Sequence, residues 1–393
     1  MNSIKRTNRS RILEYIFRNA PVSRATIAEQ TDITPATVTM TITELINEEI
    51  VIDLGEVEQS DNMPGRKRVL IDLNPNYCYE IGIEFNEKNI SFCIADLKGN
   101  IIDELIYSTT YNEISNITEF IIKNTQILMQ KNKHINNKIL GIGIGVPGKI
   151  NNNATELFSD SNIWENFFPK KIKERFNLPI VMDNNVKCMA MGMYLFQPKK
   201  SPENFSFFHL GIGMYCANVI NGELFQGNDY ISGEIGHTIV KVDGKRCECG
   251  KNGCLNTYAS ERWLIKTAKI LLENKASIIL DSLVKEDKEV NIEHIITAYN
   301  LGDEVIRQYI IVALKYLSMT ISNLSMIINP TKIFLHGRLF EDKTLFNQFK
   351  SYIEKDLSFI GDKYFSNIEL VTYKPINGAI GASARVVYDY FIN

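Results

Sequence analysis

Apolar residues change period along this chain at about residue 75. Before that point they recur at helical spacing. Ile12, Leu13, Ile16 and Phe17 predict an amphipathic helix over 11–18 that stops near Asn19, ahead of Pro21. Ser23 caps a second short helix holding Ile27 and Ala28, which closes at Thr31-Asp32. Thr34 caps a third, with Pro35 at its first position and Val38, Ile42, Leu45 and Ile46 forming one buried stripe. The apolar runs Ile50 to Leu54 and Val69 to Leu73 flank Pro64-Gly65-Arg66-Lys67-Arg68 and predict a two-stranded wing with a basic tip. Three helices followed by a wing make a winged helix-turn-helix over 1–75, with Pro75 at the boundary.

From 76 onward the pattern is that of alternating strands and helices. Strands are expected at 79–85, 90–96 and 101–107, a helix around 117–130, and a buried strand at 139–146. A helix near 170–176 leads to a strand at 179–182 and a helix at 186–196. Asp183-Asn184-Asn185 falls at the C-terminal end of that strand, the edge at which open α/β sheets bind ligands. The second half repeats the plan. Strands at 205–211 and 215–220 meet the hairpin turn Asn221-Gly222. Helical pieces fill 260–317 with a polar break at 285–291, and 320–328 precedes a strand at 332–336. Gly378-Ala379-Ile380-Gly381-Ala382 opens a terminal helix. Two α/β lobes are expected, one of about 76–185 plus 378–393 and one of 186–377, hinged about a ligand cleft.

Composition narrows the class. The chain has 393 residues, of which 45% are apolar and 23% charged, the balance of a soluble globular protein with two or three domains. No apolar run approaches the roughly 20 residues that span a bilayer, and residues 1–10 are polar and basic, so no membrane association is expected and the compartment is cytoplasmic. Net charge is −3, and residues 1–75 hold nine Lys/Arg against eleven Asp/Glu. Local clusters matter more: Lys5, Arg6, Arg9 and Arg11 at one end, and Arg66, Lys67 and Arg68 at the wing. The third helix offers Thr34, Ala36, Thr37, Thr39, Met40 and Thr41 to a DNA groove. Hydroxyl and methyl groups there suit base edges, thymine methyls included, and arginine is missing. An AT-leaning operator follows, with Arg66, Lys67 and Arg68 reaching a minor groove or phosphates.

The densest chemistry lies between Gly233 and Asn256. His237, Cys247, Cys249 and Cys254 supply one imidazole and three thiols within 18 residues, with turns permitted at Gly250 and Gly253. Four such ligands suit a closed tetrahedral zinc site, structural because no position remains for water. The seven cysteines are an odd number, which favours metal binding in a reducing compartment over a disulfide framework.

Gly233-Glu234-Ile235-Gly236-His237 followed by Cys-x-Cys-Gly-x-x-Gly-Cys resembles the signature of the ROK family, which groups sugar kinases with sugar-responsive repressors on an actin-like (ribonuclease H-like), two-lobed α/β fold. The strand order, Asn162-Ile163-Trp164 and the closing Gly-Ala-x-Gly-Ala extend the resemblance over about 76–393. A winged helix in front is what the repressor branch, of the xylose-operon type, carries. The resemblance implies sugar contacts at Asn162, Asn184, Asn185, Glu234, His237 and Asn256. It implies a His237 that serves zinc through one ring nitrogen and a sugar hydroxyl through the other. Asn256 stands where the family has a glutamate.

Other departures bear on activity. The resemblance places the kinase general base at Asn185, and an amide cannot take a proton near neutral pH. Where the family has phosphate-cradling glycines, this chain reads Glu84-Phe85-Asn86-Glu87 and Gly211-Ile212-Gly213-Met214-Tyr215-Cys216. The expected function is a sugar-responsive, DNA-binding regulator, a repressor of a carbohydrate-utilisation operon and not an enzyme. Its expected partners are operator DNA, a sugar effector and further copies of itself in a homodimer or tetramer. The alternative is a ROK-type sugar kinase with an attached DNA-binding domain.

Overall fold

The computed structural model describes residues 7–57, 68–86, 88–109, 113–150, 157–158, 162–227, 232–284, 289–358 and 367–393. The headpiece is built as its local signals require. Helices α1 (Asn8–Asn19), α2 (Arg24–Thr31) and α3 (Pro35–Asn47) are capped by Thr7, Ser23 and Thr34, whose side chains accept from the backbone N–H of Ser10, Thr26 and Thr37. Between the first two helices lies β1 (Val22–Ser23). It joins β2 (Val51–Val57) and β3 (Arg68–Leu73) in a sheet of order β1-β3-β2. Ile12, Ile16, Ile27, Val38, Ile42 and Leu45 are fully buried and form its core. Ile46, expected in the same stripe, is only half-buried.

The first α/β lobe opens with β4 (Tyr79–Phe85), β5 (Ile90–Asp96) and β6 (Ile101–Tyr107), at the bounds expected. Then come α4 (Ile117–Lys131), β7 (Ile139–Val146), the two-residue strands β8 (Lys149–Ile150) and β9 (Leu157–Phe158), α5 (Pro169–Phe176), β10 (Ile180–Asn184) and α6 (Asn185–Phe196). The sheet order is β10-β7-β4-β5-β6, with β10, β7 and β4 parallel. Parallel neighbours buried on both faces explain the unbroken apolar run of β7.

Residues Met1–Pro202 and Pro375–Asn393 make one compact unit and Glu203–Lys374 a second. The expected lobe limit at residue 186 therefore moves to 203, because α6 belongs with the first unit. The second unit holds β11 (Phe205–Leu210), β12 (Met214–Ile220), β13 (Glu223–Leu224), α7 (Asn256–Ala259), α8 (Glu261–Glu273), α9 (Ile278–Leu283), α10 (Ile292–Asn300) and α11 (Glu304–Ile328). It continues through β14 (Lys332–His336), α12 (Arg338–Glu341), α13 (Lys343–Leu357) and β15 (Ile368–Val371), with sheet order β13-β12-β11-β14-β15. Among the described residues α11 alone is long and apolar enough to cross a membrane, and half of its most apolar window is buried within the unit. Its buried face, from Ile306 and Ile310 to Leu317 and Ile321, lies in the unit's main core.

Helix α14 (Asn377–Val387) returns the chain to the first unit, where it packs on α6, β4 and β7, and a π-helical turn at Tyr388–Ile392 follows. A Cβ on Gly381 would lie 2.4 Å from the Cys188 backbone, so only glycine lets α14 cross α6 this closely.

Candidate functional site

In the first unit the site residues stand where β10 passes into α6. Asn184 caps the helix: its Oδ1 accepts from Val186 N–H at 2.9 Å, and its Nδ2 donates to the Gly148 carbonyl at 3.0 Å. Asn185 donates from Nδ2 to Glu84 Oε1 at 3.2 Å. Glu84, at the end of β4, is 1% exposed. Burial pushes its carboxyl up to about 7, against hydrogen bonds from Asn185, Asn86 and the backbone of Gly378. A Cβ on Gly378 would overlap that carboxyl, so Glu84 seals the N-terminus of α14. Asp183 is committed elsewhere. Its Oδ1 accepts from Asn184 N–H at 2.8 Å, and its Oδ2 lies 3.6 Å from Nε of the buried Arg385, which also holds Asp389 at 3.0 Å.

These pairings went unseen in the sequence. Glu84 and Asn185 are 101 positions apart, and Arg385 gave only one hint, a lone cation in the small-residue run Gly-Ala-Ser-Ala-Arg-Val-Val. Asn162 begins a 3-10 turn (Asn162–Asn166), and its side chain lies outside the described residues. Trp164 of that turn is buried, its ring 5.7 Å from Phe85 and 5.4 Å from Phe167.

In the second unit Glu234 and His237 bracket a single 3-10 turn (Ile235–His237). Asn256, first in α7, packs against Gly236, and its buried Oδ1 has no hydrogen-bond partner among the described residues. A buried carbonyl oxygen left unmatched is costly unless a ligand donor meets it. Where the family has its second phosphate loop, β12 has begun. Met214, Tyr215 and Cys216 are buried, and Tyr215 donates to the Ser232 carbonyl at 2.6 Å.

The ligand atoms of His237, Cys247, Cys249 and Cys254 all lie within 4.8 Å of one another. Cys249 Sγ is 3.6 Å from Cys254 Sγ, and Cys247 Sγ is 3.7 Å from His237 Nδ1. Tetrahedral zinc with thiolates at about 2.3 Å spaces neighbouring sulfurs about 3.8 Å apart, so the donor set fits a closed four-ligand ion. The loop closes through Gly250 and Gly253, at φ +89° and +76°, and a Cβ on Gly253 would strike the Lys241 carbonyl. Lys245 fastens it to the helices behind, its ammonium 4.5 Å from the Trp263 ring centroid and 5.1 Å from that of Tyr258.

On α3, Ala36, Thr39 and Met40 are exposed and Thr37 is half-buried, while Thr34 and Thr37 share a 2.8 Å hydroxyl contact. Thr41 corrects the expectation. It is 5% exposed, because 38, 41, 42 and 45 fall on one helical stripe and turn it into the core. Arg9 and Arg11 also work inside the headpiece: Arg9 pairs with Glu48 at 2.5 Å, and Arg11 donates to the Thr31 carbonyl. Arg68 opens β3, whereas Lys5, Arg6, Arg66 and Lys67 lie outside the described residues.

Against this geometry, residues 80–387 match the ROK family profile and 5–52 match that of winged helix-turn-helix DNA-binding domains. The chain belongs to the ROK family. It is 28% identical over 339 residues to the xylose repressor of Bacillus spizizenii, spanning 86% of this chain and 84% of that protein. Its fold is that of a crystallised ROK family transcriptional regulator, a homologue of the E. coli MLC protein, at TM-score 0.75 and 21% identity over 98% of this chain and 97% of that one. A ROK family glucokinase from Streptomyces griseus, solved with glucose and AMPPNP, matches at TM-score 0.61 and 22% identity over 78% of this chain and 98% of that one. A winged helix-turn-helix thus precedes a two-lobed, actin-like ROK region.

Proposed function

We propose that the chain is a cytoplasmic transcriptional repressor whose ROK region binds a sugar and thereby changes its affinity for operator DNA. One observation carries this reading: the winged helix is joined to a ROK region in which Asn185, the residue that the family resemblance aligns with the kinase base, is an amide bonded to a buried carboxyl at 3.2 Å. Sugar hydroxyls would be met by Asn162, Asn184, Asn185, Glu234, His237 and Asn256: the amides donate and accept, the carboxylate accepts, and the imidazole adds one ring nitrogen. The unmatched Oδ1 of Asn256 supports its part in that set. Xylose is the first candidate, from the name of the 28% identical relative.

His237, Cys247, Cys249 and Cys254 would hold a structural zinc. Nδ1 of His237 faces the thiols, so the proposed sugar contact falls to Nε2. The exposed face of α3, together with Arg66, Lys67 and Arg68, would meet the operator. A palindromic operator would be gripped by two headpieces of a homodimer or of a tetramer. The kinase alternative is disfavoured by Asn185 and by the buried residues that open β12.

A thermal-shift panel of pentoses, hexoses, amino sugars and their phosphates tests the reading, because a ligand bound only by the native state raises apparent stability. One sugar class should raise the melting temperature without ADP appearing when ATP and magnesium are added. No shift across the panel, or ADP formed with a hexose, would overturn it.

A further inference from the structure

Helix α6 reaches from the sugar-site asparagines to the winged helix. Asn184 caps it and Asn185 opens its first turn, and Tyr194 lies nine residues on from Asn185, about 14 Å along the axis. There the headpiece grips it. Tyr194 donates to Glu14 Oε1 at 2.6 Å, the Arg18 guanidinium sits 4.1 Å over the Tyr194 ring, and Arg18 Nη2 donates to the Ser201 carbonyl at 2.8 Å. Ser201 is itself tied back to α6, its hydroxyl donating to the Met193 carbonyl at 2.8 Å. The headpiece's two hydrogen bonds and the cation–π contact end on α6 or its C-terminal extension, beside a Lys98–Asp72 pair and a Phe17–Phe391 ring contact elsewhere on the headpiece.

The helix between these ends is stiff. Every residue from Asn185 to Leu195 is buried, and Gly381 brings α14 against it at backbone contact. A close-packed helix shifts as a body instead of bending at one end. Glu14 and Arg18 belong to α1, which the Arg9–Glu48 pair joins to the end of α3, the helix that presents Ala36, Thr39 and Met40.

We propose that α6 relays the sugar state of Asn184 and Asn185 to the winged helix through the clasp of Glu14 and Arg18 on Tyr194. This rests on the sugar response proposed above. Glu14, Arg18 and Tyr194 are positioning residues that touch neither sugar nor DNA. Sugar that re-aims the two asparagines displaces the first turn of α6, and the clasp passes the displacement to α1 and so to α3.

The full-length chain is assayed against a DNA duplex that the wild type has selected from a random pool. An equimolar mixture of d-xylose, d-glucose, d-galactose, N-acetyl-d-glucosamine and N-acetyl-d-mannosamine serves as probe. In wild type the mixture should change the duplex Kd by roughly 5- to 150-fold. In the Glu14→Ala, Arg18→Met double variant that factor should fall below about two, with sugar-free duplex affinity and sugar affinity each within about threefold of wild type. Tyr194→Phe keeps the ring under Arg18 and should give an intermediate factor. An unchanged factor in the double variant overturns the relay. So does loss of sugar-free duplex binding, which would mean that the clasp only holds the headpiece in place. A wild type that binds the duplex but ignores the sugars contradicts the sugar reading itself, and the relay with it.

Discussion

Asn185 donates a 3.2 Å hydrogen bond to Glu84, a carboxyl buried beneath the N-terminus of α14. The family resemblance puts a kinase's proton acceptor at that asparagine and its first phosphate loop at that glutamate. Here the two side chains satisfy each other.

The pair predicts a pH dependence. Glu84 ionises at about 7 in the folded chain against 4.5 for an ordinary glutamate, so its folded pKa is raised. Its contribution is fully present below pH 4.5, falls as pH rises, and is lost above pH 7, a change of about 3 kcal/mol. Glu84→Gln cannot ionise. Measured by denaturant unfolding, its stability relative to wild type should rise by up to about 3 kcal/mol across that window.

Restoring the acid should not restore a kinase. Asn185→Asp places two carboxyls at hydrogen-bond distance in a buried site, where both cannot ionise. The variant should be less stable than wild type by roughly 1–3 kcal/mol at pH 8, and should approach wild type near pH 5, where the pair shares a proton. Incubated with ATP, magnesium and pooled hexoses, it should yield no ADP.

Metal analysis of the purified chain should find one zinc per chain. Cys249→Ser should lose it and weaken the sugar response, while circular dichroism of the isolated thermal transitions should show the headpiece still folded. Stoichiometric absence of zinc from wild type would end the zinc assignment.

On α3 the buried and exposed positions should separate. Thr41→Val fills the same space in the core and should leave duplex affinity within about twofold of wild type. Met40→Glu puts a carboxylate on the exposed face and should weaken binding roughly tenfold or more. Replacing Lys67 by Ala should weaken binding across sequences and lower the salt slope by about 1.

Local signals wrote much of this fold into the sequence. The side chains of Ser23 and Thr34 cap the helices they were expected to cap, and the three strands from Tyr79 to Tyr107 begin and end as their alternation requires. The histidine and cysteines of the metal cluster lie within 18 residues, so their convergence needed only short turns. Thr41 was misread because a polar residue interrupted an otherwise apolar stripe. Helix α13 and strand β15 were not expected at all, although Leu345, Phe349, Ile353 and Leu357 recur at helical spacing behind the Asp342 cap; strand β15 is only four residues long and half-buried. The pairings Glu84–Asn185, Asp183–Arg385 and Glu14–Tyr194 join residues 101, 202 and 180 positions apart. Only the folded sheet, the return of α14 and the packing of α1 on α6 bring such partners together.

Fluorescence anisotropy of a labelled duplex, selected by the wild-type chain and titrated with and without sugar, tests the central claim most directly. A change in duplex Kd of roughly fivefold or more with one sugar class, and no ADP from ATP in the same mixture, is the predicted result. Duplex binding that no sugar alters, or phosphorylation of the sugar that does alter it, would contradict the account.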